Sequence, residues 1–209
     1  MSARRIIRGA IAAIALAFTV AHGATRDEFL YGNAADGSNL PFRYFVPPGY
    51  DGGQVYPLIL FLHGAGERGN DNEAQLNNNA NGAMRLLDDG NLALQPVFMI
   101  APQCPTDGWW SGATLTSAIG IVDQISATYN IDPDRVYVTG LSMGGMGTWS
   151  AVVAEPDRFA AAVPMCGIPR PFTNRHNSAF LLRSIAARRL SVDFSTLLPS
   201  PSRLSRFSR

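Results

Sequence analysis

Short apolar runs recur along the chain, and each stops at a glycine, a proline or a polar turn. The runs at 57–62 (PLILFL) and 97–101 (VFMIA) show no alternation of apolar and polar positions, and 135–139 (RVYVT) is a further β-rich run. Unbroken apolar runs are typical of strands buried on both faces, as in a parallel sheet. The same reading predicts two more strands, over 42–46 and 161–165.

Helix-like stretches separate these strands, at 74–87, 115–129 and 143–154. The middle stretch carries an apolar stripe at helical spacing, formed by Leu115, Ala118, Val122, Ile125 and Tyr129. Strands that alternate with helices predict an α/β domain with a mainly parallel sheet and flanking helices.

The first 23 residues are predicted to be a secretory signal peptide. Arg4, Arg5 and Arg8 form a positive start, residues 10–20 are almost entirely apolar, and small residues close the segment at 21–23. The apolar run is shorter than the ~20 residues that a membrane span needs. We therefore expect a secreted or periplasmic protein with no membrane span after cleavage.

Charge divides the rest of the chain into two segments. Residues 24–168 hold six Arg and fifteen acidic residues, whereas residues 169–209 hold eight Arg, eight Ser and a single acid. We interpret 24–168 as the folded domain and 169–209 as a tail that packs poorly, although 181–190 could form a helix. The formal net charge of +1 argues against nucleic acid as a partner.

Export would permit a disulfide between Cys104 and Cys166. We expect the 97–101 strand beside the 57–62 strand, followed by the 135–139 and 161–165 strands. The cysteines would then follow strands that lie roughly 14 Å apart, while a disulfide needs Cα atoms within about 7 Å. This separation favours free thiols, unless the loop after the 97–101 strand curls towards Cys166.

The candidate chemistry centres on Ser142, which lies in the sequence Gly140-Leu141-Ser142-Met143-Gly144 and matches G-x-S-x-G. A predicted strand ends just before this motif and a predicted helix follows it. That is the context in which a nucleophilic serine is held on a sharp turn, with Gly140 and Gly144 removing side chains that would collide. The alternative is a glycine-rich turn with an incidental serine.

A serine acyl-transfer site also needs donors for the developing oxyanion. We expect one to be the backbone N–H of Met143, and the other to come from the loop after the 57–62 strand. Ala65 is the first choice for that second donor and Gly66 the alternative. His63 begins this loop and could be a base, but a positional role that bonds nearby backbone is favoured.

Four segments together resemble a known group: HGAGERGNDN, APQCP, YNIDPDRVYVTGLSMGGMGTW and PDRFAAAVPMCG. They look like the secreted α/β-hydrolases described as predicted peptidases or phospholipase/carboxylesterase-like enzymes, which are similar to feruloyl esterases and polyhydroxybutyrate depolymerases. The resemblance covers most of 41–167. It implies an α/β-hydrolase fold and hydrolysis by Ser142, without metal or organic cofactor. The substrate would be a small-molecule or polymeric carboxylic ester, or a peptide.

The resemblance stops after Gly167. The family pattern continues with strands that carry a triad Asp and then a His, whereas this chain has His176 before Asp193. We interpret the domain as incomplete at its C-terminus, through truncation or a frame shift. A rearranged triad is the other possibility.

The sequence thus leaves open whether the chain is an active enzyme. Its rival function is a non-catalytic remnant or binding module. The neighbouring Trp109 and Trp110 could line a substrate pocket or simply pack the loop.

Overall fold

The computed structural model describes residues 24–77 and 82–168. The predicted signal peptide at 1–23 and the predicted tail at 169–209, with its possible helix, lie outside the described residues and remain predictions.

The described residues build one twisted sheet of six strands, in the spatial order β1-β2-β4-β3-β5-β6. The strands are β1 (Phe29–Asn33), β2 (Pro41–Phe45), β3 (Tyr56–Leu62), β4 (Phe98–Pro102), β5 (Ile131–Leu141) and β6 (Ala161–Met165).

The pairings among β4, β3, β5 and β6 are parallel, and β1 and β2 join antiparallel at one edge. Leu60 of β3 lies opposite Ile100 on one side and Val138 on the other. The predicted order of the four parallel strands is confirmed, and so is the mainly parallel sheet. Strand β1 was missed, since its sequence FLYGN carries neither an apolar run nor a clear alternation.

The helices are α1 (Ala83–Leu86), α2 (Asp89–Leu94), α3 (Gly112–Thr128) and α4 (Met143–Ala154), and 3₁₀ turns cover Arg26–Glu28, Ala65–Glu67 and Ala74–Leu76. The predicted helices at 115–129 and 143–154 are confirmed. Within the described part of the chain, no helix is long and apolar enough to span a membrane.

The prediction of one helix over 74–87 was wrong. Its first residues form only a 3₁₀ turn, and α1 starts separately after Gly82, which has extended backbone angles. The carboxylate of Asp71 accepts hydrogen bonds from the backbone N–H groups of Glu73 and Ala74, at 2.8 and 3.0 Å. These bonds fix the start of the 3₁₀ turn, and the extended Gly82 separates it from α1.

Apolar side chains cover both faces of the sheet. Leu58, Leu60 and Leu62 of β3 belong to the cluster that packs against α3 and α4, whereas Phe61 belongs to a second cluster with Ala83 of α1. Both faces of β3 are therefore buried, which explains its unbroken apolar sequence. The parallel strands β3, β4 and β5 end at one edge of the sheet, and this edge carries the candidate site.

Candidate active site

Ser142 occupies the turn between β5 and α4. Its backbone has φ 56° and ψ −111°, a positive φ that non-glycine residues rarely adopt. Such conformations cost about 1–3 kcal/mol and are concentrated at functional sites. The side chain is exposed. The predicted strand–turn–helix placement of Ser142 is thus confirmed.

Backbone hydrogen bonds hold this turn in place. The N–H of Ser142 donates to the carbonyl oxygen of Met165 at 2.8 Å, and the Ser142 carbonyl accepts from the N–H of Met146 at 3.0 Å. A serine at a helix start ordinarily caps the helix with its hydroxyl, but the Ser142 side chain makes no such bond. The hydroxyl therefore stays available at the surface.

Two glycines of the motif let the turn approach β3. A Cβ at Gly144 would lie 1.8 Å from the carbonyl oxygen of Leu62, and one at Gly140 would lie 2.4 Å from the same oxygen. No side chain fits in either place. The predicted steric role of both glycines is confirmed.

The loop after β3 lies directly beside the serine. A Cβ at Gly64 would be 3.9 Å from the Cβ of Ser142. Ala65 is the first residue of the following 3₁₀ turn, and Met143 is the first residue of α4. The first N–H groups of a helix have no partner within it, so both residues begin elements with N–H groups left to bond elsewhere.

His63 is held between backbone groups at the end of β3. Its Nε2 lies 2.9 Å from the backbone nitrogen of Cys104, and its Nδ1 lies 2.6 Å from the carbonyl oxygen of Gly64. A backbone N–H can only donate, so Nε2 is the acceptor and Nδ1 carries the proton. Both ring nitrogens are occupied, which confirms the positional role over that of a base.

Electrostatics agree with a neutral imidazole. Burial lowers the pKa of His63 to about 4, against the opposing effect of the hydrogen bond to Gly64, and the charge of Arg68 lowers it further. The imidazole therefore carries no charge at neutral pH. The indole N–H of Trp110 donates to the His63 carbonyl at 2.9 Å and completes its enclosure.

The segment after β4 fixes the far side of the same loop. The buried amide of Gln103 accepts from the N–H of Asn72 at 2.7 Å and donates to the Asp71 carboxylate at 2.8 Å. It also donates to the carbonyl of Glu67 at 3.2 Å. Sequence reasoning missed this residue, although a glutamine directly after a fully apolar strand was a usable signal.

The two neighbouring tryptophans differ. Trp110 is buried, with its ring against His63 at a centroid distance of 5.1 Å, so it packs the loop. Trp109 is 44% exposed, and the guanidinium of Arg68 lies over its ring at 4.8 Å. Arg68 also donates to the sulfur of Met143, at 3.1 and 3.2 Å.

Of the chain's three histidines, only His63 falls within the described residues; His22 and His176 lie outside them. The described part thus holds the predicted nucleophile and oxyanion donors but no histidine able to act as base. Across 24–77 and 82–168, no group of three or more His, Cys, Asp or Glu could hold a metal ion. Cys104 is buried, Cys166 is exposed, and both are free thiols, as expected.

Comparison with known proteins gives consistent matches. The model of the prolyl oligopeptidase family matches residues 107–176. The putative esterase NocK of Nocardia uniformis subsp. tsuyamanensis is 30% identical over 127 residues, which cover 55% of this chain and 34% of that protein. Poly(3-hydroxyalkanoate) depolymerase C of Paucimonas lemoignei is 44% identical over 64 residues, or 31% of this chain and 16% of that protein.

Among solved structures, the crystal structure of a thermostable esterase superposes with a TM-score of 0.65 at 34% identity, covering 76% of this chain and 51% of that one. The chain thus spans about half of that structure, and about a third or less of the two curated relatives. The chain therefore has the α/β-hydrolase fold and is similar in sequence to esterases of that fold.

Proposed function

We propose that this protein is a serine esterase in which Ser142 attacks the carbonyl carbon of a carboxylic ester. The observation that carries the proposal is the strained, exposed position of Ser142, with a positive φ and a hydroxyl that does not cap α4. Strain of this kind is retained where function requires it.

The backbone N–H groups of Met143 and Ala65 are the proposed oxyanion donors. When the serine oxygen adds to the ester carbonyl, negative charge develops on the former carbonyl oxygen. The N-terminal end of α4 carries partial positive charge and points to this region. Gly66 remains the alternative to Ala65, since both belong to the same 3₁₀ turn.

The reaction proceeds through an acyl-enzyme. The serine hydroxyl gives its proton to a base and its oxygen bonds to the acyl carbon. The ester C–O bond then breaks, and the leaving oxygen takes up that proton, so that the neutral alcohol departs. Water attacks the acyl-enzyme in the same way, releases the acid and returns a proton to the serine oxygen. Proton removal requires a general base. Because His63 uses both ring nitrogens on backbone groups, a histidine base would have to come from outside the described residues.

Carboxylic esters are the proposed substrate class. The relatives at 30% identity or more carry the names esterase and depolymerase, and the structure at 34% identity is an esterase. The pattern of residues 1–23 supports export, so we also propose that the enzyme meets its ester outside the cytoplasm.

Labelling with a fluorophosphonate probe tests the nucleophile. We expect covalent attachment to Ser142, slow because the described residues hold no histidine base, located by peptide mass spectrometry and lost in Ser142→Ala. Ser111 provides a matched control, since it too is an exposed serine that starts a helix without capping it. Ser111→Ala should label like the unaltered chain.

Two results would contradict the proposal. Labelling that persists in Ser142→Ala would place the reactive group elsewhere. Labelling of Ser142 no faster than that of Ser111 would show an ordinary hydroxyl, as expected for the rival function of a non-catalytic binding module.

A further inference from the structure

Arg68 stands apart from the other buried and half-buried arginines of the described residues. Its guanidinium lies between the thioether of Met143 and the ring of Trp109. Four other arginines of the described residues form salt bridges with carboxylates, namely Arg26, Arg43, Arg135 and Arg158. Within the part of the chain that the structure describes, Arg68 forms no salt bridge.

The contacts of Arg68 use only one edge of its guanidinium. Nε and one terminal nitrogen, Nη2, face the sulfur of Met143. A thioether is a weak acceptor, so these contacts orient the guanidinium but do little to neutralise its charge. Among residues 24–77 and 82–168, no acceptor bonds the edge formed by Nη1 and the second N–H of Nη2. The parallel N–H groups of this edge match the two oxygens of a carboxylate.

The position of this edge connects it to the candidate site. Met143 directly follows Ser142 in sequence, and its side chain is buried beneath Arg68. Trp109 exposes 44% of its surface, so it offers an apolar contact beside the cation. A ligand bound here would present a carboxylate to Arg68 and its carbon skeleton to Trp109.

We infer that Arg68 and Trp109 form a subsite for a carboxylate carried by the ester substrate. This inference rests on the proposed function for its substrate, but the subsite itself is defined by contacts that do not involve the serine hydroxyl. The preferred substrates are accordingly esters with a free carboxylate, in the acyl or the alcohol part, over neutral esters of the same size.

Binding of benzoate and of its neutral isostere benzamide tests the subsite directly. Isothermal titration calorimetry on the full chain carrying Ser142→Ala removes any contribution from turnover. We expect benzoate to bind more tightly than benzamide, and Arg68→Met to weaken benzoate binding by about tenfold or more, since a charge-assisted pair is lost. Methionine keeps the unbranched start of the side chain and removes the guanidinium with its charge.

Arg85→Met is the matched control, because Arg85 is an exposed arginine remote from Met143 in the sequence. It should leave benzoate binding unchanged. Equal affinities for benzoate and benzamide, or an equal loss in both arginine variants, would overturn the subsite. The thermal unfolding midpoint shows whether each variant is folded. Arg68→Lys keeps the positive charge, so it should retain part of the preference for benzoate over benzamide.

A second measurement locates the subsite relative to the serine. Benzoate should slow fluorophosphonate labelling of Ser142 in the unaltered chain but not in Arg68→Met. Benzoate that binds through Arg68 without slowing the labelling would overturn its role in substrate recognition. Absence of labelling altogether would count against the proposed function, while the calorimetric result would still decide whether the carboxylate site exists.

Discussion

The imidazole Nε2 of His63 accepts a hydrogen bond from the backbone N–H of Cys104 at 2.9 Å, which ties the end of β3 to the loop after β4. This bond requires the neutral ring, because a protonated Nε2 has no lone pair to offer. The loop that follows β3 and begins with His63 places Gly64 and Ala65 beside Ser142. Protonation of one buried side chain therefore bears on the geometry of the proposed oxyanion hole.

The stability of the fold should depend on pH through His63. Its pKa is about 4 in the folded protein against an ordinary value of 6.5, so the unfolded chain binds the proton first as the pH falls. The stabilising effect of the neutral His63 on the unfolding free energy is fully present above about pH 6.5. It falls by about 3 kcal/mol as the pH is lowered to 4.

His63→Gln checks this assignment, because glutamine can still accept the Cys104 N–H but does not titrate. Chemical denaturation between pH 4 and 7 should show a smaller loss of unfolding free energy for this variant than for the unaltered chain. Parallel losses would mean that His63 does not cause the dependence.

Substitution of two glycines should have opposite effects. Gly144→Ala forces a Cβ to 1.8 Å from the carbonyl of Leu62, whereas a Cβ at Gly120 in α3 meets nothing within 4 Å. We expect Gly144→Ala to cost about 3 kcal/mol or more of unfolding free energy. Gly120→Ala should add about 0.5–1 kcal/mol, since alanine favours a helix interior. Thermal and denaturant unfolding of both variants measure this, and a tolerated Gly144→Ala would contradict the close approach.

The fold was predictable where local sequence determines it. The strand–turn–helix at Ser142 follows from an apolar strand, two glycines and a helix-forming segment within twenty residues. Strand β1 was not predictable in this way. It is held by long-range pairing, with Phe29 opposite Phe45 of β2 and their rings 5.6 Å apart.

The residues of the candidate site show the same difference between local and long-range determinants. Ser142 and its neighbours on the turn were named from a motif, and the placement of His63 from the strand that it ends. The amide of Gln103 and the contact between Arg68 and Met143 bridge 31 and 75 positions of sequence, respectively. No local pattern encodes such pairs, since each depends on which strands become neighbours in the sheet.

The side chain of Gln103 should hold the loop from residue 67 to residue 72 in its conformation. Gln103→Leu leaves the N–H of Asn72 without its buried acceptor and removes two donors, one of them to Asp71. We expect a loss of about 2–3 kcal/mol in unfolding free energy. Labelling of Ser142 should slow as well, because Glu67, whose carbonyl Gln103 binds, belongs to the same 3₁₀ turn as Ala65. Unchanged labelling in a folded Gln103→Leu would show that the loop holds its shape without the amide.

The two thiols should react very differently. Cys166 is exposed, whereas burial raises the pKa of Cys104 to about 11, against a smaller opposing effect of the Arg68 charge. The thiolate is the reactive form, so at pH 8 the native chain should titrate one thiol with Ellman's reagent and two after denaturation. Cys166→Ser should abolish the native reaction. Fast reaction of two thiols in the native chain would contradict the burial of Cys104.

Turnover is the most demanding expectation for this chain. We predict that the chain hydrolyses p-nitrophenyl acetate weakly or not at all, because the described residues hold no histidine with a free ring nitrogen. Loss of the base in a serine triad typically lowers the rate by several orders of magnitude, although the oxyanion donors alone still support a low residual rate. Steady-state release of p-nitrophenol, with Ser142→Ala as the blank, measures this.

The histidine variants identify the source of any activity found. Ordinary esterase turnover that His176→Ala abolishes would overturn the prediction, since residues 169–209 would then supply the base, with Asp193 as its orienting partner. Turnover that survives His176→Ala but is abolished equally by His63→Ala and His63→Gln would instead contradict the positional role of His63. A folded His63→Gln with the same residual rate as the unaltered chain would agree with an imidazole that supports the loop and takes no part in proton transfer, because glutamine can still accept the Cys104 N–H.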